Sequence, residues 1–125
     1  MAMKLYTYSS NLKRGDLRIP LPIQSTYLRN YANTIGLIFV LPRVEWNITG
    51  IYFELTKMIL EGNMNIAMCS IAMLPDDNKI LRELLSINKE IKYHFPLENM
   101  KLNADEAKSI KEELNRFKKL EGKIK

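Results

Sequence analysis

The chain has 125 residues, with 19 Lys and Arg, 14 Asp and Glu, a net charge of +5, one Cys and one His, which is the size of a single domain. Roughly two-thirds of the unfolded surface can be buried at this length, so a core forms without staples; Cys69 alone excludes an intramolecular disulfide, and Cys69 with His94 cannot supply the four ligands of a structural zinc. No apolar run reaches the ~20 residues of a membrane span and Met1–Tyr8 lacks a signal-peptide core, so a cytoplasmic protein without membrane contact is expected.

Leu5–Tyr8 is a short apolar and aromatic run followed by the turn chemistry of Ser9, Ser10, Asn11 and Gly15, which predicts a strand and then a loop. Pro20 and Pro22 fix an extended entry to a helix over about residues 23–35, where Ile23, Tyr27, Leu28, Tyr31, Ala32 and Ile35 recur at helical spacing until Gly36. Leu37–Leu41 is a continuous apolar run ended by Pro42, as expected of a strand buried on both faces. Arg43–Gly50 is a polar loop, after which Ile51, Tyr52, Leu55, Met58 and Ile59 define a second helix up to Gly62. Asn65–Met73 predicts a third strand leading to Asp76 or Asp77 as a cap for the helix of Ile80, Leu81, Leu84 and Leu85. Glu90–Phe95 predicts a fourth strand ending near Pro96, and Asn103 or Asp105 opens a last helix whose apolar stripe is Ala107, Ile110, Leu114, Phe117 and Leu120. Met58, Met64, Met68 and Met73 fall on predicted elements and are expected to fill core space.

Alternating strands and helices with short connections predict a small doubly wound α/β domain: a parallel sheet of about four strands with helices on both faces, plus the C-terminal amphipathic helix. Ligands in such sheets bind at the carboxyl ends of the strands. Four loops therefore carry the candidate chemistry: Ser9–Arg18, Arg43–Gly50, Ser70–Asp77 and Pro96–Asn99. The first combines the hydroxyls of Tyr8, Ser9 and Ser10 with Arg14 and Arg18, a pairing suited to anion or phosphate recognition through planar guanidinium forks. The second puts Glu45 beside Trp46, where a carboxylate can act as an acid or base, or clamp sugar hydroxyls while the ring stacks on a sugar face. Cys69 lies inside an apolar run and reads as an inert core thiol, and His94 sits at a strand end with no triad around it. The five glycines are scattered, so no Gly-rich phosphate loop exists and no cofactor or metal is expected. The C-terminal Lys residues alternate with Glu as on a solvated helix face, which disfavours nucleic acid as the partner of the basic charge.

Taken together, Tyr8-Ser9-Ser10, Arg18-Ile19-Pro20 with Gln24, Arg29-Asn30-Tyr31, Glu45-Trp46 with Gly50 and Tyr52, Ser70, Leu74-Pro75 and Glu98 resemble the sporadic carbohydrate cluster family. Those are small bacterial proteins encoded in surface-polysaccharide or lipopolysaccharide biosynthesis regions. The resemblance spans about Leu5 to Asn99 and departs at Pro22, Thr49 and Met73, where a polar residue, a proline and a glutamine would be expected. It implies a part in making an unusual sugar, with a small anionic sugar or nucleotide-sugar as ligand, and no particular reaction. On this reading Ser10 and Glu45 are the reactive groups and Arg18, Gln24, Arg29, Trp46, Tyr52 and Ser70 line the ligand.

The same layout also resembles the catalytic domain of serine recombinases, in which a loop Ser attacks a DNA phosphate and Arg residues stabilise the charge. That likeness implies a resolvase-like fold, with Ser9 or Ser10 at the nucleophile's place and Arg18 among the cations. Met73-Leu74-Pro75-Asp76 stands where recombinases carry an Asp-Arg-Leu and Arg motif, so the charge needed for DNA chemistry is missing from that turn. The alternative placed ahead of DNA chemistry is a non-catalytic subunit that forms a homodimer, or docks on an enzyme, through Ile110, Leu114 and Phe117 of the last helix.

Overall fold

A computed structural model describes residues 3–10, 19–45 and 52–124. The elements are β1 (Lys4–Ser10), α1 (Leu21–Ile35), β2 (Ile38–Phe39), β3 (Arg43–Glu45), α2 (Phe53–Leu60), β4 (Asn65–Ala67), α3 (Asn78–Leu85), β5 (Lys92–Phe95), β6 (Met100–Asn103) and α4 (Ala104–Ile124). Short 3-10 turns at Ile71–Met73 and Pro96–Glu98 follow β4 and β5. Arg14, Arg18, Trp46, Asn47, Thr49, Gly50 and Ile51 lie outside the described residues.

The α/β architecture and the C-terminal helix agree with the sequence, while the sheet is richer than expected. β1 is central: its start pairs with β2 and its end with β3, both parallel, and its other edge pairs in parallel with β4. β5 continues the parallel set, and β6 closes it antiparallel, so the expected four parallel strands are a mixed sheet of six. Right-handed crossovers in opposite directions from β1 put α1 on one face and α2 and α3 on the other.

Leu37–Leu41 does not form a strand buried on both faces. It is an edge, with Leu41 71% exposed; only Ile38–Phe39 pairs as β2, and after Pro42, which has no N–H for the ladder, the start of the expected loop pairs as β3. The Thr7 hydroxyl bridges the gap by donating to the Val40 carbonyl at 2.7 Å. The predicted third strand is likewise shorter: only Asn65–Ala67 pairs, and Ile71–Met73 winds into a turn.

Local signals set the helix ends. Gly36 adopts φ 76°, the left-handed conformation a side chain resists, and lets the Leu37 N–H return to the Ala32 carbonyl at 2.9 Å. Asp77, rather than Asp76, caps α3 by accepting from the Lys79 and Ile80 N–H groups. Asn103 and Glu106 bond each other's backbone N–H at 2.8 and 3.1 Å, a reciprocal capping box that opens α4.

Leu5, Leu28, Leu55, Ile66, Leu81 and Tyr93 form the centre of the core. Met58, Met68 and Met73 fill it as expected, but Met64 is 44% exposed because it precedes β4 at the sheet's amino edge. α4 departs most from its sequence pattern. Its buried face is Ala104, Ala107, Lys111 and Asn115, while Leu114, Phe117 and Leu120 are exposed. Lys111 Nζ bonds Asp76 Oδ1 at 2.7 Å, and Asn115 Nδ2 donates to Asn78 Oδ1 at 2.8 Å and to the Pro75 carbonyl at 3.3 Å. The first half of the helix thus packs through Ala104, Ala107 and Ile110, as its stripe predicts, while beyond it Lys111 and Asn115 hold the body through polar contacts and Leu114, Phe117 and Leu120 are turned aside. None of the described helices is long and apolar enough to cross a membrane.

Candidate functional site

The chain leaves β1 toward one edge of the sheet and returns to β4 on the other side of it, which makes the carboxyl ends of β1 and β4 a topological switch point. Ser10 ends β1, Cys69 and Ser70 follow β4, and Pro96–Glu98 follows β5.

Gln24, buried on α1, organises this edge. Its Oε1 accepts from the Ser10 N–H at 3.3 Å, and its Nε2 donates to the carbonyls of Ser10 at 2.9 Å and Ile19 at 2.7 Å. One amide therefore holds both ends of the stretch 11–18, which in sequence carries Lys13, Arg14 and Arg18. Ser10 itself is 4% exposed. Beside it, the Ser9 Oγ is buried with no hydrogen-bond partner among the described residues, which costs about 1–3 kcal/mol.

Ser10 and Glu45 are register partners across β1 and β3, so their side chains leave the sheet on the same face. The Glu45 carboxylate is already engaged. It accepts from the Tyr8 hydroxyl at 3.1 Å and from the N–H groups of Glu54 at 3.1 and 3.2 Å and Leu55 at 3.5 Å. The Glu54 and Leu55 donors are otherwise unpaired amides of the first turn of α2, where an anion also opposes the positive end of the helix dipole. Tyr52, buried, is the residue that begins this helix, and its carbonyl accepts from the Thr56 N–H at 2.9 Å.

On the β4 side, Ser70 Oγ donates to Glu98 Oε2 at 2.8 Å and accepts from the Ala72 N–H at 3.1 Å, while Glu98 Oε1 accepts from the Ile71 N–H at 2.7 Å. The turn after β4 is thus closed by a hydroxyl and a carboxylate. Arg29 lies elsewhere, stacked over Phe39 at 5.1 Å on the β2 edge. The structure brings Ser10, Gln24, Glu45, Tyr52 and Ser70 to the carboxyl edge and leaves Arg29 apart; Arg18 and Trp46 fall outside the described residues.

Cys69 is buried, and burial, with the Glu98 charge adding to it, pushes its thiol up to about 11. A thiol so protonated is a poor nucleophile. His94 is also buried, and burial, then the Lys101 charge, holds its imidazole down to about 4. It is therefore neutral near pH 7. Asn65 Oδ1, an acceptor, lies 3.0 Å from Nε2 and fixes the proton there, so Nδ1 accepts from the Tyr31 hydroxyl at 2.7 Å. This Tyr31–His94–Asn65 chain went unnoticed in the sequence because its members are 63 and 29 residues apart. Among the described residues no group of three His, Cys, Asp or Glu could hold a metal ion.

No protein-family model and no curated protein matches the chain. Among solved structures, the crystal structure of the N-terminal catalytic domain of TP901-1 integrase is similar, with a TM-score of 0.61 at 15% identity, covering 93% of this chain and 96% of that one. The fold is resolvase-like. These comparisons support that half of the sequence resemblance and lend none to the sporadic carbohydrate cluster family. In this chain β1 ends at Ser9 and Ser10, and the turn after β4 offers Ser70, Ile71 and Leu74 with Glu98 against it.

Proposed function

We propose that this resolvase-like domain binds a phosphate-bearing ligand at the carboxyl edge of β1 and β4, beside Ser10, without carrying out DNA strand transfer. The observation that carries the reading is the Gln24 clamp, in which one side-chain amide bonds both Ser10 and Ile19, the residues that flank the Arg14- and Arg18-bearing stretch in sequence. Guanidinium groups near a hydroxyl are suited to a phosphate's oxygens. Strand transfer asks for more positive charge around the reacting phosphate. The Glu98 carboxylate on the β4 turn works against that charge, and against a long polyanion.

A nucleotide-sugar and a DNA backbone share this phosphate chemistry, and two assays separate them. Titration with a uridine diphosphate sugar, followed by calorimetry, is expected to give saturable binding that Arg18→Ala weakens. Retention on duplex DNA at low salt, with a Ser10-dependent covalent adduct, would instead establish the recombinase reading. Binding in neither assay overturns the proposal.

A second reading, that the chain is an assembly subunit, is favoured by α4. Phe117 is 63% exposed beside Leu114 and Leu120, whereas the helix buries Lys111 and Asn115. A homodimer through this stripe would cover it. Sedimentation equilibrium is expected to show a dimer that Phe117→Glu dissociates; a monomer at all concentrations removes this reading.

A further inference from the structure

The amino-edge side of the sheet carries a second set of groups that the carboxyl-edge reading does not use. On the face covered by α1, a cavity of about 310 Å³ is lined by apolar Met3, Ile35, Leu37 and Met64, by charged Lys92, Lys101 and Glu90, and by Tyr31, Asn65 and His94. The volume is at the lower end for a small-molecule site.

The strand order arranges these groups. Met3 precedes β1, Ile35 ends α1 and Leu37 precedes β2, so these three lie on the β2–β1 side, while Met64 precedes β4 and its carbonyl accepts from the Lys92 N–H at 2.8 Å. Lys92 and His94 are two apart on β5 and share a face. Lys101 on β6 stands directly opposite His94, and Asn65 on β4 opposite Lys92. The two lysines, on β5 and β6, therefore lie across the sheet from Met3, Ile35 and Leu37, with Met64 between the two sets.

The donors here are uncommitted. Lys92 and Lys101 are exposed and make no ion pair or hydrogen bond among the described residues. The Asn65 amide nitrogen also has no partner there, because the residue's carbonyl oxygen alone is used, by His94. The neutral His94 adds no charge, and Glu90 offsets one of the two ammonium groups, which leaves a net charge of about one positive unit facing an apolar wall.

We propose that this cavity is a binding site for a small amphipathic monoanion, such as a carboxylic acid with a short apolar tail. Its carboxylate lies between Lys92, Lys101 and the Asn65 amide, and its tail lies against Met3, Ile35, Leu37 and Met64. The site is separate from the Ser10 edge and stands whether or not that edge binds phosphate.

Octanoate is the probe, followed by ¹H–¹⁵N chemical-shift mapping of the whole chain at pH 7.5. Saturable shifts are expected at Tyr31, Asn65, Lys92 and His94. Reversing both exposed charges with Lys92→Glu and Lys101→Glu is expected to weaken binding by about tenfold or more, since it replaces two attractions with two like-charge repulsions. Octanol, with the same tail and no charge, is expected to bind correspondingly more weakly. Met64→Lys, on the exposed rim, tests the apolar wall independently and is expected to weaken octanoate as well. Shifts confined to Leu114, Phe117 and Leu120, equal binding of octanol, or binding undiminished in the charge-reversed protein would each overturn the assignment.

Discussion

The two ends of the sheet differ in how their polar groups are spent. At the carboxyl edge, Gln24, Glu45, Ser70 and Glu98 all bond backbone groups: they close the stretch after β1, cap α2 and tie the turn after β4. On the amino-edge side, Lys92, Lys101 and the Asn65 amide have no such duties among the described residues. The carboxyl-edge rule locates where loops converge, but a polar side chain in such a loop can be a strut before it is a reagent. Ser9 differs from these struts, since its buried Oγ has no hydrogen-bond partner among the described residues.

This contrast can be broken most sharply at Glu45. Glu45→Ala strips the carboxylate from the first turn of α2 and from Tyr8, and is expected to cost about 3–4 kcal/mol in urea unfolding, as loss of a buried charged acceptor does. Unchanged stability would return Glu45 to the list of reagents.

Next in size is the pH dependence of His94. Its folded pKa of about 4 lies below the ordinary 6.5, so between those values the unfolded chain binds the proton that the folded chain refuses. Stability is full above about pH 6.5 and falls on the order of 3 kcal/mol as pH drops to about 4. His94→Asn should flatten this slope in denaturant titrations at several pH values; an equally steep slope would place the proton elsewhere.

Gln24→Ala removes three hydrogen bonds to backbone groups and is expected to cost about 2 kcal/mol. Its distinguishing effect is faster amide hydrogen exchange at Ser10 with little change at His94. At the small end, Phe117→Glu on the exposed stripe is expected to change monomer unfolding by no more than about 0.5 kcal/mol. A larger loss would mean that α4 packs through its apolar side after all.

The helices were legible in the sequence because 3.6-residue periodicity and strong stops such as Gly36 act locally. Strand roles were less so. An apolar run such as Leu37–Leu41 looks the same in a central strand as at an edge, and Met100–Asn103 carries none of the β-branched residues that mark a strand. The members of the carboxyl edge were readable by their position after strands. Their duties were not, because Glu45 caps amides nine residues onward and Ser70 meets a carboxylate 28 residues away. α4 shows the same limit, since periodicity finds an apolar stripe but cannot tell which side of the helix meets the body.

The most direct test of the central claim is chemical-shift mapping with inorganic pyrophosphate, the smallest ligand that carries the proposed chemistry. Saturable shifts at Ser9, Ser10, Ile19 and Gln24 that disappear in Arg18→Ala are predicted. Shifts confined to Lys92 and Lys101, or none at any concentration up to the solubility limit, would contradict it.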